Sequence, residues 1–242
     1  MELVNTQTDR GCATVTMNRP PVNAQSTELY RELISRLDEA NNDPSVRVII
    51  LGSDVKGMFS AGIDMKEFSD TSSQSVQLRN RRTALGYDLW YLLRTSRAVT
   101  IAAVDGAAVG GGLLVALCCD IRIASPEARF CLPELKVGGT GGIALLRRAG
   151  VAEGDARRIF LSAEFMDAAE AFRCHVVNQL STEASAIEAA IELADKLTEY
   201  NPDTLLAAKQ SLLASENAMY EIGIHAERRA IEQHRRATSS AG

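Results

Sequence analysis

Apolar and polar positions alternate through ELVNTQT and CATVTMN on either side of an Asp9-Arg10-Gly11 turn, the pattern of a β-hairpin. Pro20 and Pro21 in RPPVNA then disfavour helix before them and predict an extended loop. Leu29, Leu33, Ile34 and Leu37 recur at helical spacing in STELYRELISRLDEANND, so strand, loop and helix form the opening unit. VRVIILG (46–52) reads as a buried strand, MFSAGID as a glycine-containing loop, and 75–96 as a long helix carrying Leu85, Leu89, Trp90 and Leu93. VTIAAV predicts another buried strand, followed by three glycines and a third helix. Buried strands alternating with helices imply a mostly parallel sheet covered on both sides, hence an α/β class with chemistry in its loops.

Beyond residue 150 strand signals nearly vanish. Asp167 with Glu170 three residues on forms a capping-box pattern, and Asn201-Pro202 is an N-cap with proline at the first helical position. The last segment places Ile222, Ala226, Ala230 and Ile231 on one helix face, a stripe suited to a subunit interface or to core packing, with Arg228/Glu232 and Glu232/Arg236 at i,i+4. The polar stretch SDTSSQS (69–75) reads equally well as a lid over a site or as an exposed connection.

A chain of 242 residues with 46% hydrophobic content can bury a sizeable core. Its net charge of -5 and pI near 5.4 argue against nucleic acid or an anionic membrane as the main partner. Cys12, Cys118, Cys119, Cys131 and Cys174 form neither CxxC pairs nor metal spacing, and read as buried thiols in a reducing compartment. The first residues lack a basic region followed by an apolar one, and no run approaches a membrane span, so the expected location is the cytoplasm, without a membrane partner and without a bound metal.

DGAAVGGGLL follows a strand and opens a helix, but it lacks the GK[ST] ending of a nucleotide loop and the spacing of GxGxxG. What remains is a helix N-terminus with exposed amides, fit to stabilise developing negative charge on an oxygen, or glycines that only permit tight strand-to-helix packing. GMFSAGIDMKEF is a second strand-exit glycine loop that would bring free N–H groups to the same sheet edge. Two such loops together make an oxyanion hole.

MNRPPVNA, VIILGSD, FSAGIDMKEF, IAAVDGAAVGGG, CDIRIASPEARFCLPELKVG and DARRIFLSAEFMDAAEAF, in this order, resemble the crotonase, or enoyl-CoA hydratase/isomerase, superfamily over about three quarters of the chain. The resemblance implies a ββα spiral core with an acyl-CoA site over residues 1–180 and a C-terminal helical region, 181–242, that builds a homotrimer or a dimer of trimers. It implies a role in fatty acid metabolism, with CoA present only as part of the thioester substrate and no separate cofactor. It places the two oxyanion donors at the backbone N–H groups of Ile63 and Gly111, with Ser60, Ala61, Gly62, Asp64, Gly110 and Leu114 along the substrate site.

A hydratase of this family resembles a two-glutamate machine, with one Glu three residues after the oxyanion glycine and one in the PE motif. Here the second is Glu134 but the first is Leu114. Leu114 cannot hold water, and a lone carboxylate against an apolar wall should have a raised pKa and reach the α-carbon. Glu134 can then take a proton at C2 and return it at C4, a double-bond shift. GGGLLVALCCDIRI and PPVN likewise look more like the Δ3,Δ2-enoyl-CoA isomerases of the superfamily. A one-glutamate hydratase, hydrolase or decarboxylase, and a non-catalytic acyl-CoA binder or assembly subunit, stay open beside that reading.

LKVGGT after Glu134 is shorter than in many hydratases and lacks their proline, which reshapes the acyl pocket. His175 stands at a left-handed position where the family has glycine, and His225 and His234 read as surface residues. Arg19 and Lys66 are candidates for CoA phosphate contact or ordinary solvated charges, and Asp64 is also placed to cap the loop or helix after it.

Overall fold

The opening alternation folds as a hairpin, β1 (Val4–Asp9) antiparallel to β2 (Cys12–Met17), turning through Arg10 and Gly11 at positive φ. The computed structural model describes residues 2–68, 73–182 and 185–239. After the hairpin come α1 (Thr27–Asn42), β3 (Val48–Ser53), β4 (Met58–Ser60), the single turn α2 (Met65–Phe68) and α3 (Ser73–Thr95). Then follow β5 (Val99–Val104), β6 (Ala107–Val109), α4 (Gly111–Cys118), β7 (Ile121–Ala124), β8 (Arg129–Cys131) and a 3-10 turn, Glu134–Val137. The remainder is α5 (Ile143–Arg148), α6 (Glu153–Ser162), β9 (Met166–Asp167), α7 (Ala168–Arg173), β10 (Gln179–Leu180), α8 (Ala186–Thr198) and α9 (Pro202–Ser239).

The larger sheet runs β1-β2-β3-β5-β7-β10 and is parallel beyond the hairpin. Sequence periodicity predicts this sheet but not its companion, β4-β6-β8-β9, because MFS, AAV and RFC are too short to show a period. Each turn of the chain lays one strand in each sheet before crossing back: β3 and β4, β5 and β6, β7 and β8. That is the ββα spiral.

The central strands β3 and β5 of the larger sheet are buried on both faces. Ile49, Leu51 and Ala102 join Leu33, Leu89 and Leu117 of α1, α3 and α4 in one cluster. Val48, Ile50, Ile101 and Ile123 face the alanines of α8, Ala186, Ala189, Ala190 and Ala194. Small residues let α8 approach closely, and its N-terminus is held by a capping box between Ser185 and Glu188.

Asp167 caps α7 by accepting Glu170 N–H at 2.8 Å, and Asn201 Oδ1 accepts Thr204 N–H at 3.1 Å at the start of α9. His175 is exposed at φ 64°, and His225 is exposed beside Glu221. The side chain of His234 and residues 69–72 of the SDTSSQS stretch lie outside the described residues. α3 starts at Ser73, two residues before the periodic pattern begins. Of the apolar stripe of α9, Ile222 and Ala226 face outward on this chain, while Ile224 and Glu227 face inward. Helix periodicity identifies a face but not which neighbour covers it. Lys209 of α9 pairs with Asp120, and Glu216 with Arg148 at 3.0 Å, fastening this helix to the ends of α4 and α5.

Among the described residues no helix is long and apolar enough to cross a membrane. The cysteines are free; Cys12 is half-buried and the other four buried, and burial pushes the thiols of Cys12 and Cys118 up, keeping them protonated.

Candidate active site

The loop after β4 is hydrogen-bonded along one side only. Ala61 N–H donates to Val22 O at 2.9 Å, Gln25 N–H to Gly62 O at 2.7 Å and Asp64 N–H to Gln25 O at 3.4 Å. Ile63 is the parallel-bridge partner of Gln25. Because flanking residues make the bonds in such a bridge, Ile63's own N–H points the other way. Gly111 opens α4, where the first N–H groups have no intrahelical acceptor. Neither N–H meets an acceptor among the described residues.

Gly62 brings the two loops together. It has φ +80°, and a Cβ there would stand 2.6 Å from Val109 O and 2.8 Å from Gly111 N. Only glycine fits so close an approach of two backbones. Ser60 is fully buried beneath them, donating to Asn23 O at 2.8 Å and accepting from Gly62 N–H at 3.2 Å.

Glu134 begins the 3-10 turn, and its Oε1 is 3.2 Å from where a Cβ on Gly110 would lie. Its Oε2 is buried without a hydrogen-bond partner. Burial pushes its carboxyl up to about 7, with its own backbone N–H opposing and the charge of Glu227 adding to the rise. A carboxyl with that pKa is half ionised at neutrality, as a general base needs. Leu114 lies one helical turn into α4, 5% exposed, and its Cδ2 is 2.8 Å from the position of a Cβ on Gly142. The site thus joins two free N–H donors, one partly buried carboxyl and an apolar wall.

The sequence matches the enoyl-CoA hydratase/isomerase family over residues 7–240. The chain belongs to this family. It is 35% identical over 224 residues to a probable enoyl-CoA hydratase of Bacillus subtilis, covering 91% of this chain and 86% of that one. It is 33% identical over 218 residues to the 2,3-dehydroadipyl-CoA hydratase of Escherichia coli, covering 88% and 83%. The structure of Pseudomonas aeruginosa DspI superposes with a TM-score of 0.83 at 30% identity, covering 96% of this chain and 88% of that one. The protein is therefore an enzyme of the crotonase superfamily, with the spiral fold that the sequence motifs imply.

Within this crotonase framework Asp64 points inward: Oδ1 accepts Lys66 N–H at 3.0 Å and Oδ2 pairs with Arg19 at 2.8 Å. Arg19 also donates to Ala24 O at 3.0 Å, so its guanidinium holds the proline loop, while Lys66 is exposed. Sequence reasoning missed Asn23, Gln25 and Glu227. Asn23, at φ 47°, is fully buried, donates to Ser53 Oγ at 2.7 Å and Phe59 O at 2.9 Å, and so fixes the segment that leads into the loop after β4. The signal was present, since Asn tolerates left-handed backbone after prolines. Gln25 is buried with its Oε1 accepting from Tyr30 Oη at 2.8 Å beside Gly111. Glu227 reaches Gly142 from 85 residues away, which no local pattern reveals.

A cavity of about 520 Å³ between the hairpin and α8, lined by Asp9, Arg10, Thr14, Asp54 and Asp195, shares no residue with these loops. Asp155, Glu170 and Cys174 cluster as metal-type donors, but Arg158 and Arg173 pair with both acids.

Proposed function

We propose that the enzyme shifts a double bond in an enoyl-CoA thioester from Δ3 to Δ2, with Glu134 as the single proton shuttle. The thioester oxygen accepts from Ile63 N–H and Gly111 N–H, which lowers the cost of removing a C2 proton. Glu134 takes that proton, the electron pair delocalises through C3 and C4 into a dienolate, and the same carboxyl returns a proton at C4. Substrate and product have the same atoms, and no resident cofactor is required: CoA enters as part of the substrate. Each oxyanion donor contributes roughly 3 kcal/mol in comparable sites. Ser60, Ala61, Gly62, Asp64 and Gly110 form the surrounding loop walls.

One observation carries this reading: the residue three positions after Gly111 is the buried Leu114, where a hydratase of the family resembles a two-glutamate site. Without a second carboxylate there, nothing at that position holds and deprotonates water. The hydratase names of the relatives favour hydration by one glutamate as the second reading. Both readings are separated by incubating the enzyme with 3-enoyl and 2-enoyl thioesters in deuterated water and scoring mass and double-bond position. Isomerisation moves the double bond from C3 to C2 without gain of oxygen, with deuterium entering C4 only as far as the Glu134 proton exchanges with solvent, whereas hydration gives a 3-hydroxyacyl product. Leu114→Glu in the same assay should introduce measurable hydration; a wild type that hydrates as fast as it isomerises would overturn the proposal.

Assembly as a homotrimer, or as a dimer of trimers, belongs to the same proposal. Exposed apolar side chains at Leu161, Phe165 and Phe172, with Ile222 on α9, support it, since a monomer gains nothing by leaving them in water.

A further inference from the structure

Glu227 is buried on α9, and its carboxylate accepts the N–H groups of both Gly142 and Ala144, the latter at 2.9 Å. Burial pushes this carboxyl up, and the two N–H donors oppose that rise by favouring its ionised form. α9 lies close there, with Gly223 facing Ala144, whose Cβ would be 3.8 Å from a Cβ on the glycine. Gly142 in turn backs onto Leu114, the apolar wall of the site. A continuous set of contacts thus runs from the C-terminal helix through one loop to the wall beside the base.

We propose that Glu227 is a positioning residue for the base: from α9 it fixes the wall made by Gly142 and Leu114, and it sets a negative charge next to Glu134. This rests on the reading of Glu134 as the base. The groups around it leave the charge with little compensation. Arg147 of α5 is the cation acting on Glu227, and it is exposed. Glu134 of the 3-10 turn is the carboxyl on which the charge of Glu227 acts, and Leu114 of α4, packed against Gly142, carries no charge. The neighbouring Arg228 is turned to α3, 4.0 Å over the ring of Tyr87. Near Glu134 the Cys131 thiol is raised by burial and stays neutral.

The consequence is a division of labour between two carboxylates that differs from a shared grip on water. One is pushed up by burial against the pull of two backbone donors, and the other, raised chiefly by its own burial, keeps its proton to somewhat higher pH because the first is there. Docking of α9 also becomes a condition for the base to work, which ties the last helix to turnover without any contact between α9 and substrate.

The test compares Glu227→Gln and Glu227→Asp with wild type. Ionisation of Glu134 is read directly by difference infrared titration, each background minus the same background carrying Glu134→Gln, and turnover is read as the pH profile of kcat/KM. In Glu227→Gln the Glu134 midpoint and the acid limb should both move to lower pH by on the order of half a unit, the scale of one like charge removed near a protein surface. Glu227→Asp keeps the charge and shortens the reach, so it should keep the midpoint while kcat falls. A midpoint unmoved in Glu227→Gln, or lowered equally by both substitutions, would overturn the proposal, the latter by showing that a loosened wall simply admits water. If wild type moved no double bond, the reading of Glu134 would fail while the infrared midpoint still decided the role of Glu227.

Discussion

The amide nitrogen of Gly111 lies 2.8 Å from the point where Gly62 would carry a Cβ. Two loops that leave different sheet strands are therefore in backbone contact, and the spacing of the proposed oxyanion donors depends on a missing methyl group. Gly62→Ala should force the loops apart and strain a backbone at φ +80°. We expect kcat to fall by roughly 100-fold, the loss typical of one misplaced oxyanion donor, with KM changed much less. Steady-state kinetics on a 3-enoyl thioester checks this, with thermal unfolding run alongside to separate loss of fold from loss of site.

Glu134→Gln keeps the shape and loses the base. Turnover should drop more than tenfold, above about 1.4 kcal/mol of transition-state stabilisation, while calorimetric acyl-CoA binding changes little. In wild type, activity should rise with pH through about 7 as the carboxyl ionises. Stability moves oppositely. Since burial raises the folded-state pKa from 4.5 to about 7, the native state holds a proton that the unfolded chain releases across this window. The protein should lose stability as pH rises from 4.5 to 7, and above 7 the Gln variant should be the more stable, by at most on the order of 3 kcal/mol. Urea denaturation at pH 5 and pH 8 measures the difference.

Deleting the chain from Ser215 onward removes Glu227, Ile224 and the outward Ile222 together. Light scattering should show loss of the oligomer and kinetics loss of activity. A stable monomer with full turnover for the intact chain would count against a trimer at once, because the site would then need no neighbour.

Much of the site was legible in the chain because it is built from local backbone. A strand exit followed by glycines exposes N–H groups wherever it occurs, so SAGID and VGGG mark the two loops, while the family resemblance singles out Ile63 and Gly111 within them. The role of Glu134 rests on the resemblance of its PE motif to the family, not on local geometry. The hairpin, the buried strands β3 and β5, the helices α1, α3 and α4, and the caps at Asp167 and Asn201 also rest on neighbours a few positions apart, and the structure has each of them.

Tertiary structure decided the rest. Strands of three residues carry no period, and β4, β6 and β8 exist because parallel neighbours hydrogen-bond them into a second sheet. The inward face of α9 was set by the groups packed beneath it: the N–H groups of Gly142 and Ala144 and Asp120, the partner of the buried Lys209. A carboxylate can be buried only where donors converge on it, and donors from α5 reach Glu227 only after the chain has wound through two sheets and returned. Local sequence therefore determined which groups can do chemistry, through backbone geometry that acts over a few residues. Burial determined the charge state of those groups, and burial is a property of the whole packed chain.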